Sequence, residues 1–213
     1  MKRIQLHAYA KINLTLDVTG KRPNGYHDVE MIMQQISLCD DVTVSWKAGS
    51  VRRGKPGQTA EPDPTGIQIQ LTVSRPDLPA DSSNLAWKAA EEMIAEFGGP
   101  AGGNAKAAAG TDAAGGVLTI DIQKQIPMAA GLAGGSSNCA AVLHAINQLW
   151  ELNLSVKELC RIGARLGSDV PFCIMGQAAA EKALQGSFAD DPDACHCALA
   201  TGTGTDLKPL TGL

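Results

Sequence analysis

Aromatic residues are scarce in this chain: three Trp, two Tyr and three Phe make up 4% of 213 residues. A surface that stacks nucleic-acid bases needs more. Cations are not in excess either: 18 Lys and Arg stand against 22 Asp and Glu, net −4. That argues against a phosphate-backbone partner and leaves room only for a local basic cluster, enough for one nucleotide. No run reaches the roughly 18 apolar residues of a membrane span. Met1-Lys2-Arg3 starts like a signal sequence, but alternating residues and Lys11 follow instead of an apolar core, so a cytoplasmic location is expected. Six cysteines occur, and without a secretory signal disulfides are not expected. Cys195-His196-Cys197 lacks the second ligand pair of a structural zinc site, so no metal site is assigned. No G-x-G-x-x-G opens a helix, which excludes a Rossmann dinucleotide site. Gly49-Ser50-Val51-Arg52-Arg53-Gly54-Lys55-Pro56 approaches a P-loop, but Pro stands where the magnesium-binding hydroxyl belongs.

What is present is an ordinary globular balance, 44% hydrophobic and 19% charged. Residues 4–18 alternate with period two, which predicts a strand, or two with a bend. Ile4, Leu6, Ala8, Ala10, Ile12, Leu14, Leu16 and Val18 share the apolar face, with Lys11 and Asn13 on the polar one. Further strands are predicted at 29–36, 42–46, 67–73 and 117–122. Helices are predicted from about Asn84 to Phe97, capped by Asp81 or Ser82, from Ser136 to Trp150, and from the capping box at Ser155 to Gly167. Residues 49–66 read as an exposed loop and 100–116 as a Gly/Ala-rich insertion. The order predicts a mixed α+β layout.

Three places carry chemistry. Pro127-Met128-Ala129-Ala130-Gly131-Leu132-Ala133-Gly134-Gly135-Ser136-Ser137 joins a strand to a helix. Its small residues let backbone N–H groups approach a ligand, and it ends at a helix N-terminus, which favours an anion. Phosphate is the fitting anion, and the serine hydroxyls could reach it or a bound magnesium; a tight turn with serine caps is the plainer alternative. Asp169 lies between a helix end and an apolar segment. Phosphoryl transfer to an alcohol needs a group that takes the hydroxyl proton and cations that hold the phosphates, and Asp169 with Lys11 fits that need. Tyr26 and His27 follow the Asn24-Gly25 turn, where one could stack on a base and the other hydrogen-bond to it; a surface aromatic after a turn is the plainer reading.

Four segments occur in a telling order: Ala8-Tyr9-Ala10-Lys11-Ile12-Asn13-Leu14, Arg22-Pro23-Asn24-Gly25-Tyr26-His27, Pro127 to Ser137, and Gly167-Ser168-Asp169-Val170-Pro171-Phe172. Together they resemble the superfamily of galactokinase, homoserine kinase and mevalonate kinase. The first two narrow the resemblance to kinases of a cytidylylated sugar alcohol in non-mevalonate isoprenoid biosynthesis. The resemblance spans residues 4–178 and 199–210. It implies a ribosomal protein S5 domain 2-like fold, a mixed sheet with helices on one side. It implies Lys11 and Asp169 as the catalytic pair, Asn13 on the substrate hydroxyls, and Tyr26 and His27 on the cytosine. Residues 127–137 would wrap the ATP phosphates, with Lys124 and Asn84 near the nucleotide and Mg2+ accompanying ATP. The partner is then a small molecule, not nucleic acid or membrane, and the protein a monomer or homodimer. Residues 1–205 would form the kinase's N-terminal domain and 206–213 the start of a truncated second one. Residues 180–198 stand out as an insert, expected to bulge as a loop or to break the closing strand.

Overall fold

A computed structural model of the chain describes residues 1–23, 25, 27–49, 66–100, 115–188 and 190–210. Strand β1 (Lys2–Lys21) and strand β2 (His27–Ala48) form a long antiparallel hairpin. They are followed by β3 (Ile67–Val73), helix α1 (Leu85–Phe97), β4 (Gly116–Gln123), α2 (Gly134–Leu149), α3 (Val156–Gly163), α4 (Val170–Ala180), α5 (Lys182–Phe188), β5 (Cys197–Thr201) and β6 (Asp206–Pro209). One sheet runs β3-β4-β2-β5-β6, with β1 on the other side of β2. The β3–β4 pair is parallel and the other pairs are antiparallel.

Alternation along the strands sets the core. Leu6, Ala8, Val42, Val44, Leu118, Ile120 and Ile122 are buried, while Gln5, His7 and Gln123 are exposed. Each large apolar side chain buried this way contributes roughly 1.5–3 kcal/mol. Helix α1 is capped by Asn84, whose side chain accepts from Ala86 N at 2.9 Å, and not by Asp81 or Ser82. It stops at Gly98, whose φ of 70° lets its N–H turn back to Ile94 O. The capping box at Ser155 opens α3 as expected, but α3 gives way to turns at Gly163, four residues before Gly167.

Three departures from the sequence pattern matter. The strands expected at 29–36 and 42–46 are one, β2, with an irregularity where pairing steps from Tyr9↔Cys39 to Lys11↔Gln35. Ile36 to Leu38 thus oppose Ala10 alone, a bulge that breaks the alternation of β1 and buries Ala10 and Lys11 in succession. Beyond it the apolar face comes out to solvent: Leu14, Leu16 and Val18 are more than half exposed. Residues 170–180 form helix α4, which periodicity did not announce because Val170 to Ala178 are buried on every side. Finally, segment 180–198 packs into the body. Leu184 and Phe188 are buried, Asp191 accepts from Val156 N at 3.1 Å, and Cys195 N donates to Met175 O at 3.2 Å.

Candidate active site

The bulge in the β1–β2 pair turns Lys11 inward, under the start of α4. Its Nζ lies 3.5 Å from Asp169 Oδ2 and donates to Asn13 Oδ1 at 3.1 Å. The two sides of the ion pair differ: the Lys11 side chain is 6% exposed and that of Asp169 30%. The cation is therefore sheltered while the carboxylate is partly open to solvent. Asp169 occupies the N-cap position of α4 but caps no backbone N–H with its side chain, which leaves its oxygens free for Lys11 and a ligand.

The glycine-rich loop is fastened to the same strand. Lys11 N donates to Leu132 O at 3.1 Å, and Ser137 Oγ donates to Tyr9 O at 2.6 Å. Ser137 is fully buried, so its hydroxyl secures the loop from behind and does not reach a phosphate; Gln177 Nε2 donates to its carbonyl at 2.9 Å. The loop residues 127–131 and Gly135 are exposed. Ala133, left-handed at φ 57°, takes the N-cap position of α2 and offers no side-chain cap. The first N–H groups of α2 are thus left for an outside acceptor, with the positive end of the helix dipole behind them.

Residues 84–177 match the family model of the GHMP kinases N terminal domain. Over these residues the chain is similar to the N-terminal domain of GHMP kinases. It is 39% identical over 213 residues to the 4-diphosphocytidyl-2-C-methyl-D-erythritol kinase of Alkaliphilus metalliredigens, a match covering all of this chain and 56% of that protein. It is 43% identical over 176 residues to the kinase of the same name from Alkaliphilus oremlandii, covering 83% of this chain and 49% of that one. A crystal structure of 4-(cytidine 5'-diphospho)-2C-methyl-D-erythritol kinase superposes with a TM-score of 0.60 at 28% identity, over 97% of this chain and 55% of that one. The chain spans about half the length of the curated relatives it matches.

The matched stretch of the GHMP kinase domain takes in Asn84, Lys124, the loop and Asp169; Lys11, Asn13 and His27 precede it. Lys124 is not free to meet a ligand. Its ammonium is paired with fully buried Asp40 and donates to Asn138 Oδ1 at 3.0 Å. Asn84 uses both ends of its amide locally, accepting from Ala86 N and donating to Pro79 O at 2.8 Å. His27 begins β2 opposite Lys21, ten residues along β1 from Lys11, and so lies far along the hairpin from the Lys11–Asp169 pair. Tyr26 and the P-loop-like residues 50–56 lie outside the described residues.

Asp40 is the residue that sequence reasoning missed. An acid amid apolar neighbours was the available signal. Gln35 also escaped notice: it ties the bulge to β5, with Oε1 2.8 Å from His196 Nδ1 and its backbone N donating to His196 O. Burial pushes the neighbouring Cys195 thiol up to about 11. Among the described residues no group of three His, Cys, Asp or Glu could hold a metal ion, and no helix is long and apolar enough to cross a membrane.

Proposed function

We propose that the chain binds ATP on residues 127–136 and phosphorylates the 2-hydroxyl of 4-diphosphocytidyl-2-C-methyl-D-erythritol. The observation that carries this reading is the Lys11–Asp169 pair, 3.5 Å apart, whose lysine lies on the strand to which the loop is directly bonded. Its site residues and those of the relatives named above are taken to serve one chemistry. Asp169 accepts the hydroxyl proton as the alcohol oxygen attacks the γ-phosphorus. The bond from that phosphorus to the ADP oxygen breaks, and ADP leaves. Lys11 stabilises the charge that gathers as this happens, and Asn13 orients the sugar hydroxyls. The N–H groups of Gly134, Gly135 and Ser136 hold the phosphates. Mg2+ enters with ATP, which requires no protein cage of several carboxylates. Tyr26 and His27 recognise the cytosine, by resemblance. Such a kinase works in the cytoplasm, where ATP is.

Half-length coverage favours a second reading, in which this chain binds ATP but transfers nothing by itself. Phosphate transfer from ATP to the cytidylylated alcohol separates them. Turnover is expected, and Asp169→Asn should lower kcat by about a thousandfold while ATP affinity stays within about twofold. ATP binding without turnover in the unsubstituted chain supports the second reading. Full turnover in Asp169→Asn removes Asp169 from the mechanism.

A further inference from the structure

We propose that Asp40 is the positioning residue of the nucleotide loop, holding both of its ends to one point of the sheet. This rests on reading residues 127–136 as the ATP phosphate cradle. Asp40 stands on β2 with no exposed surface. Its Oδ1 accepts from Gln125 N at 2.6 Å and from Ile126 N at 2.8 Å. Its Oδ2 accepts from Asn138 Nδ2 at 2.8 Å and from the Lys124 ammonium. Lys124 Nζ closes the ring on Asn138 Oδ1.

Sequence position makes this more than a buried ion pair. Gln125 and Ile126 immediately precede Pro127, where the loop begins, and Asn138 immediately follows Ser137, where it ends. One carboxylate therefore fixes the entry and the exit of the loop. The cluster also reaches beneath the first residue of α2, since a Cβ on Gly134 would lie 3.1 Å from both Lys124 Nζ and Ile126 Cγ2. The N–H groups offered to a phosphate thus rest on the clamp. Only an ionised acid can accept from four donors at once. An Asn at this position would turn an NH2 toward either Lys124 and Asn138 or the two backbone N–H groups, and one half of the clamp would open.

A purely structural role predicts lost stability alone, whereas a clamp predicts lost ATP affinity in a chain that still folds. The test compares the unsubstituted chain with Asp40→Asn, Asn138→Ala and Asn147→Ala. Asn147 is a buried asparagine farther along α2 whose side chain bonds Leu154, at 3.0 Å from each end of its amide. Calorimetry with a non-hydrolysable ATP analogue gives Kd, and thermal unfolding gives stability. Asp40→Asn and Asn138→Ala should each raise Kd about tenfold. Asn147→Ala should lower the melting temperature yet keep Kd within about twofold. In the transfer assay the first two raise KM for ATP and leave kcat within about threefold. Should Asp40→Asn fail to fold, Asn138→Ala decides, because it leaves no charge unpaired. A folded Asn138→Ala that binds the analogue like the unsubstituted chain overturns the proposal alone. An unsubstituted chain that binds no analogue overturns the loop reading and the proposal with it.

Discussion

His144 shows at a single residue how burial becomes a dependence on pH. It lies inside α2 with no exposed surface, its Nε2 3.0 Å from Ile174 O and its ring edge-on to Phe188 at 5.3 Å between centroids. Burial lowers its pKa to about 4, against the small opposing effect of the Ile174 carbonyl. The unfolded chain takes up this proton near pH 6.5 and the folded chain only near 4. The contribution is thus complete above about pH 6.5 and is lost as pH falls through that window, by about 3 kcal/mol in all. Denaturant unfolding of the chain should show stability falling between pH 6.5 and 4, and His144→Leu should flatten that fall. Equal slopes in the two proteins would show that His144 is not the group responsible. Glu158, by contrast, is held below the usual carboxylate range by the Ser155 backbone N–H and hydroxyl. Lys11 and Asp169 could be picked out one by one from their residue types and neighbours. Lys124 came only from the resemblance, and its engagement with Asp40 could not be read at all, because that partner is 84 residues away.

Among the elements, those with a free face were legible and those without one were not. Helix α1 and the capping box of α3 follow from spacing and caps that act within a few residues. Helix α4, buried all round, carries no periodic signal. The bulge of β2 against Ala10 depends on what the two strands each pack against, so no window of β1 alone could reveal it. Strand β4 supplies a sharper test. It is paired to β2 on one side and β3 on the other, which leaves its backbone no freedom to shift. A Cβ on Gly116 would lie 2.4 Å from Trp46 Cη2 and 2.7 Å from Lys47 O. That Trp ring in turn meets Trp150 edge-on at 5.6 Å. Gly116→Ala should therefore cost about 2 kcal/mol or more in denaturant unfolding. Gly186→Ala, in α5 with nothing within 4 Å of the added atom, should cost nothing. Similar behaviour of the two would mean that β4 and Trp46 can part more readily than their packing indicates.

For the whole molecule, the hairpin divides into a covered half and an open half. Leu6, Ala8 and Ala10 are fully buried, whereas Leu14 and Leu16 are each 53% exposed and Val18 is 60% exposed. Among the described residues β1 pairs with β2 alone, so its outer edge is open along this stretch. Leu16→Thr should change the unfolding free energy of this chain by less than about 0.5 kcal/mol, while Leu6→Ala should cost about 2–5. A loss at Leu16 as large as at Leu6 would mean that this face is covered in solution. The sequence by itself determined the α+β class, the small-residue loop running into a helix, and the chemical types at positions 11 and 169. Each of these follows from interactions within one turn, one strand or one cap. Only the tertiary structure decided that Lys11 faces inward, that it meets an acid 158 residues away at 3.5 Å, and that Asp40 joins the two ends of the loop. Those outcomes depend on strand register and on buried charges finding partners, which arise when distant segments pack together.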